Sequence, residues 1–192
     1  INGAPVSFSA RVHDGDRISV YPQFESFDIT SVSQLRDHPL RVIRFVLDVH
    51  LGKLARYLRL CGFDTLYSND FEDHTIVDIA TTKNRVILTR DVGILKFSRV
   101  QHGYWLRSDQ PQRQLQEVIR RFDLKQQVHL FSRCLECNGI IDQVDKQSIE
   151  NQLEEGTRRC YHTFYQCRQC RKIYWKGSHY HKMIRLIEHL LE

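Results

Sequence analysis

From position 40 the chain alternates between short apolar runs of strand length and longer stretches whose apolar residues fall three and four apart. "RVIRFVLD" reads as a strand ending in Asp48. "LGKLARYLRLCGF" follows as a helix, with Leu51, Leu54, Ala55 and Leu58 on one stripe and Gly62 as its stop. "DTLYS" is a second strand, "DHTIVDIATTKN" a helix capped by Asp73, and "RVILT" a third strand. "DVGILKFSRV" predicts a short helix, "GYWLR" a fourth strand, and "PQRQLQEVIRRFDL" a helix with Pro111 in its first turn. Four strands alternating with four helices require crossover connections, hence a mostly parallel sheet covered on both faces. Residues 40–131 are therefore expected to form a three-layer α/β/α domain.

The flanking patterns differ. Residues 1–21 alternate as strands do: Val6, Phe8, Ala10 and Val12 share a face, Asp14-Gly15 supplies a turn, and Ile18 and Val20 resume the alternation. Two strands are too few to fold alone, so either an upstream portion completes them or the hairpin leans on the rest of the chain. Residues 22–39 read as a linker with a helical turn at 33–36, so residues 1–39 form one partial segment. After Phe131 the alternation stops. Residues 132–192 carry two CxxC pairs among short strand-like pieces and close with the amphipathic helix "HKMIRLIEHLLE".

In an open parallel sheet, ligands collect beyond the carboxyl ends of the strands. Asp48 ends the first strand, Asp91 follows the third, Asp109 follows the fourth, and Asp73 opens the helix that comes off the second. Carboxylates sharing one rim repel unless a cation neutralises them. Oxygen ligands of this kind suit Mg²⁺ or Mn²⁺, and two such ions about 4 Å apart assist in-line displacement at a phosphodiester. Taken alone, Asp73 is more simply a helix cap, Asp91 and Asp109 can equally cap the helices after them, and Asp48 is the hardest to explain that way. All four on one edge favour the metal-binding reading over separate caps. Asp78, further round the helix from Asp73, is a weaker candidate. Lys53, Arg56 and Arg59 beside Asp48, and Arg90 beside Asp91, are either solvated charges or contacts to a nucleic-acid backbone. Neither a Ser-His-Asp or Cys-His arrangement nor a phosphate-binding glycine loop is evident.

"CLEC" (Cys134, Cys137) and "CRQC" (Cys167, Cys170) are two halves of a Cys₄ zinc site, and the 29 residues between them imply an inserted hairpin or helix. A closed site of this kind is structural. Cys61 and Cys160 are expected to be core thiols, and His162, His179 and His181 to be surface residues or nucleic-acid contacts. The net charge is +5, and residues 156–187 hold eight Lys or Arg and no Asp or Glu. Interleaved aromatics suit such a block to a phosphate backbone and its bases, which makes Arg168, Arg171, Lys172, Tyr174, Trp175, Lys176 and His179 candidate RNA contacts. The plainer alternative is a solvated strand face around a small aromatic core. No apolar run approaches the roughly 18 residues of a membrane span and no signal peptide is evident, so a cytoplasmic protein is expected.

Taken in order, "LDVHLGKLARYLRLCGFDT", "DHTIVDIA", "RVILTRD", "LRSDQPQRQLQEV", "CLECNG" and "CRQCRKIYWKGSHY" resemble the Mut-seven C-terminal RNase family, a PIN-like nuclease domain fused to a zinc ribbon. The likeness runs over residues 44–180. "INGAPVSF" and "DGDRISVYP" are similar to the last half of a ubiquitin-like β-grasp domain, without the terminal Gly-Gly of sulfur carriers. The resemblance implies a metal-dependent ribonuclease in which Asp48, Asp73 and Asp91 are the acidic residues and Asp109 the fourth. It also implies structural zinc and a protein partner for the β-grasp segment. From the residues alone, a non-catalytic RNA-binding zinc ribbon and an interaction adaptor stay open.

Overall fold

The computed structural model describes residues 1–2, 6, 10–18 and 43–191. The predicted strand positions Phe8 and Val20, the linker and its helical turn lie outside the described residues. The chain falls into two compact units, Ile1–Ile43 and Arg44–Glu192. In the first, the turn forms where Asp14-Gly15 predicts it: Gly15 takes φ +90°, and the Asp16 N–H donates to the His13 carbonyl at 3.2 Å. Asn2 and Arg17 are paired, Asn2 N–H to the Arg17 carbonyl at 2.8 Å and Arg17 N–H to Asn2 Oδ1 at 2.9 Å.

The second unit begins with β1 (Phe45–Leu47), α1 (Gly52–Leu60), β2 (Thr65–Leu66), α2 (Asp73–Thr82) and β3 (Val86–Thr89). β4 (Gly103–Trp105) and α3 (Pro111–Arg121) follow. The four strands form one parallel sheet in the order β2-β1-β3-β4. Strand alternation divides its side chains between two faces. Val46 and Ile87 pack with Ile76, Val77 and Ala80 of α2. Phe45 faces the opposite way, edge-on to Phe63 and to Phe122 at the end of α3. The result is the three-layer α/β/α arrangement that the alternating pattern predicts.

α1 ends as its sequence demands. Gly62 takes φ +94°, its N–H donates to the Arg59 carbonyl at 3.0 Å, and the Phe63 N–H donates to the Leu58 carbonyl at 2.9 Å. A Cβ at Gly62 would sit 2.5 Å from the His129 carbonyl oxygen, so the later chain closes tightly over this turn. The predicted helix at 91–100 is instead a single 3₁₀ turn, Ile94–Lys96, anchored by the buried Ile94.

A three-stranded antiparallel sheet completes the unit: β5 (Ile141–Val144), β6 (Phe164–Cys167) and β7 (Ile173–Trp175), in that order. The residues between the CxxC pairs form β5, two short helices, α4 (Lys146–Ile149) and α5 (Glu155–Cys160), and most of β6. α6 (Ser178–Leu191) closes the chain, and its Leu190 carbonyl accepts from Gln116 Nε2 of α3 at 3.1 Å. Cys61 is buried as expected, and burial pushes its thiol up to about 12, which keeps it unreactive. Cys160 corrects the expectation of a core thiol. It ends α5 and is exposed, because the six residues of that helix bury none of their side chains.

Candidate active site and thiol cluster

Strand order decides which acids can meet. β2 and β3 flank β1 on opposite sides, so the chain direction across the sheet reverses between β1 and β3, and a crevice opens at the carboxyl ends of those two strands. Asp48 follows β1 and Asp91 follows β3 by two residues, which places them on either side of this switch point. Asp73 comes off β2 and Asp109 off β4, on the same edge but one strand further out on each side.

Thr89, the last residue of β3, connects the central pair. Its hydroxyl donates to Asp48 Oδ2 at 2.7 Å, and its oxygen accepts the Asp91 N–H at 2.8 Å. Asp48 is only 9% exposed, and its side chain has no ion-pair partner among the described residues. A carboxylate this buried, balanced only by a neutral hydroxyl, is stable beside a cation and costly without one. Asp91 is exposed and folds back so that Oδ1 accepts the Gly93 N–H at 2.6 Å. An added Cβ at Gly93 would lie 3.0 Å from that oxygen, so glycine makes room for the carboxylate.

The capping explanations fare unevenly. Asp91 does hold the turn after it. Asp73 is the first residue of α2 rather than its cap, and Asp73 and Asp109 accept no backbone N–H among the described residues. Both are exposed. Among the described residues, the acids do not close around one point as a metal cage would; the thiol cluster is the one group that does. Asp78, the weaker candidate, is taken by Arg99 Nη1 at 2.7 Å.

The basic candidates near the rim separate by exposure. Lys53, Arg56 and Arg90 are exposed, Arg56 lying 3.6 Å from Glu136. Arg59 requires correction: it is buried and points away from solvent into the second sheet's first cysteine turn. Its Nε donates to the Thr65 carbonyl at 3.0 Å, and its Nη1 donates to the Leu135 carbonyl at 3.0 Å and the Glu136 carbonyl at 2.7 Å. Its helical position, three residues from Arg56, suggests a shared face, but the inward 131–138 segment covers it. Burial lowers its guanidinium from the usual value, and the nearby thiols of Cys134 and Cys137 work against that shift.

Cys134, Cys137, Cys167 and Cys170 bring their sulfurs within 4.8 Å of one another, with Cys134 and Cys170 at 3.5 Å and Cys137 and Cys167 at 3.4 Å. A zinc ion with Zn–S bonds of about 2.3 Å sets tetrahedral sulfurs about 3.8 Å apart, so the four thiols fit zinc. Burial raises the Cys134 thiol, but the N–H groups of Cys137 and Glu136 and the Tyr174 hydroxyl together bring it down to about 7, toward the thiolate that a metal needs. The Tyr174 hydroxyl lies 3.0 Å from that sulfur. Left-handed Asn138 (φ +70°) and Arg171 (φ +61°) each follow a pair, which lets the two turns fold back as metal knuckles.

Much of the aromatic block is the small core of this sheet. Phe131 stands edge-on to Tyr165, Tyr174 and Tyr180, and Trp175 is tilted against Tyr161 and Phe164. Tyr174 is thus committed to the core and to Cys134. Arg168 is paired with Asp142 and Lys172 with Glu136, while Lys176 lies 5.8 Å from the rings of Tyr165 and Tyr180. Arg171 and His179 are exposed. Thr89 is not marked by any sequence motif; its one signal is a hydroxyl ending the otherwise apolar "VILT".

The Mut7-C ubiquitin model matches residues 1–28. A human protein, "Exonuclease mut-7 homolog", is 34% identical over 106 residues, which is 52% of this chain and 12% of that protein's length. No solved structure matches. The Mut7-C RNAse domain model matches residues 43–187, which take in the parallel sheet, its acidic rim and the four-thiol cluster, and the chain accordingly belongs to the Mut7-C RNAse domain family.

Proposed function

We propose that the chain is a ribonuclease that hydrolyses RNA phosphodiester bonds at the acidic rim with the help of Mg²⁺ or Mn²⁺. The observation that carries this is Asp48: a buried carboxylate at the switch point of a parallel sheet, held by Thr89 and, among the described residues, without a cationic side chain to balance it. Asp48 and Asp91 would hold the ion, with Asp73 and Asp109, one strand further out on the same edge, positioning water. An ion of this kind usually keeps only one or two protein carboxylates and leaves its other positions to water and phosphate, which suits an open rim better than a closed cage. Bound there, it would activate water and offset charge on the leaving oxygen.

The chain's own residues supply the geometry. Thr89 fixes one oxygen of Asp48, and the Gly93 N–H fixes one oxygen of Asp91, so each carboxylate is oriented while its second oxygen has no partner among the described residues. Lys53, Arg56 and Arg90 are exposed near this edge and suit a phosphate backbone. The thiol cluster with zinc is structural, and residues 132–192 act as a ribbon whose exposed Arg171, Lys176 and His179 extend the contact to RNA. The N-terminal ubiquitin-like segment is a surface for a protein partner. A cytoplasmic location is proposed because paired CxxC motifs serve as metal ligands where thiols stay reduced; no helix among the described residues is long and apolar enough to cross a membrane.

The test is incubation of the zinc-loaded chain with end-labelled RNA, with and without added Mn²⁺. Cleavage that requires the added ion is expected. Intact RNA in both lanes, or equal cleavage in both, counts against the proposal.

A further inference from the structure

Trp105 is 42% exposed at the last position of β4, the edge strand of the sheet. A large ring left in water is costly, and strand alternation explains why this one is uncovered. Tyr104 turns toward Phe122, ring centroids 5.9 Å apart, and fills the α3 face. Trp105 therefore falls on the opposite face and is not among the side chains that pack with α2's core. Its ring is nonetheless fixed, since the indole N–H donates to the Arg90 carbonyl at 3.1 Å. Position adds the rest. Trp105 is the register partner of Thr89, the residue that holds Asp48, and the carbonyl it binds belongs to the residue before Asp91. The Arg90 side chain next to it is exposed and basic, whereas Arg107 turns to the α3 face, where its Nη1 donates to the Tyr104 hydroxyl at 2.9 Å and lies 3.4 Å from Glu117.

We infer that Trp105 is a stacking platform for one unpaired nucleobase, and that it presents the adjacent phosphodiester of a single strand to the Asp48–Asp91 rim. The inference rests on the ribonuclease reading and narrows its substrate class. A duplex offers no free base face, because each base is already stacked within the helix, whereas an unpaired nucleotide can lay its ring on an indole. A ring held by one hydrogen bond at its edge and 42% exposed is arranged for that contact before the strand arrives. Arg90 supplies positive charge that draws the backbone past it.

Binding can be measured on the zinc-loaded full chain without added Mg²⁺ or Mn²⁺, using a short labelled single-stranded RNA and the same sequence annealed into a duplex. The wild-type chain is expected to prefer the single strand. Trp105→Ala is expected to weaken single-strand binding by roughly 10- to 100-fold with little effect on the duplex, and Trp105→Phe to stay within about 5-fold of wild type. In a Trp175→Phe background, the remaining indole fluorescence is expected to be quenched by the single strand. Wild-type affinity in Trp105→Ala overturns the inference, and so does an equal loss in Trp105→Ala and Trp105→Phe, which would indicate disturbed packing. If Trp105→Ala binds normally while Mn²⁺-dependent cleavage persists, stacking fails and the nuclease reading stands. If the wild-type chain binds no RNA the inference fails, and if it also cleaves none with added Mn²⁺ the nuclease reading fails with it.

Discussion

Asp48→Asn is expected to lower metal-dependent RNA cleavage by more than about 100-fold while leaving the fold intact. The estimate follows from a comparison: removing a side chain that merely supports a metal ligand already costs about 10- to 100-fold, and Asp48 is proposed as a ligand itself. The amide keeps the size of the carboxylate and can still accept from Thr89, so the packing around β1 persists and only the charge is lost. Relief of an unbalanced buried charge predicts thermal stability equal to or above that of the wild-type chain in metal-free buffer. The paired readouts are initial cleavage rate in Mn²⁺ and midpoint of thermal unfolding. A variant that is both inactive and strongly destabilised would assign Asp48 to the fold instead, and one that cleaves normally would remove it from the site.

Arg59→Ala is expected to destabilise the second unit by about 2–4 kcal/mol, among the larger effects available to a single charged residue. The substitution removes three hydrogen bonds from a buried guanidinium and leaves the Thr65, Leu135 and Glu136 carbonyls without that donor. It also removes a cation that interacts with the Cys134 and Cys137 thiols, which become net negative around a metal. Other bonds share the junction: Asn138 Oδ1 accepts the Thr65 N–H at 2.9 Å, and Arg133 Nε donates to the Gly62 carbonyl at 3.1 Å. Asp64, held below the usual carboxylate range by Arg85, Asn138 and Arg133 against the upward pull of burial, ties them together. The first cysteine turn is therefore built into the end of α1 rather than hung from it by a linker. Urea unfolding should show the lowered midpoint. Metal content measured alongside separates the two parts of the effect, because none of the thiols is changed. An unaltered midpoint would mean that the junction carries little of the unit's stability.

The layers of the fold were legible because apolar periodicity is a local property: "RVIRFVL" and "RVILT" each predict a buried strand without reference to the rest of the chain. The four thiols were legible because CxxC spacing encodes half a tetrahedron in each turn. Arg59 was not, since its helical position is compatible with a solvated face and only the later 131–138 segment, more than 70 residues on, decides that it is covered. The exposure of Cys160 was hidden for a related reason: a short helix in an insertion has no partner to bury it. For the acids, chain order predicted a common edge, and sheet order added which two flank the switch point. Trp105 drew no notice because an aromatic in a strand pattern is ordinarily core, and its place on an uncovered edge follows from the sheet order β2-β1-β3-β4.

The most direct test of the metal-dependent rim is anomalous diffraction from crystals of the zinc-loaded chain soaked in Mn²⁺. A manganese peak is predicted within about 2–2.5 Å of a carboxylate oxygen of Asp48 and shared with Asp91, separate from the zinc signal at the four cysteines. Manganese absent from that rim in soaked crystals, with Asp48 bonded only to Thr89, would contradict it.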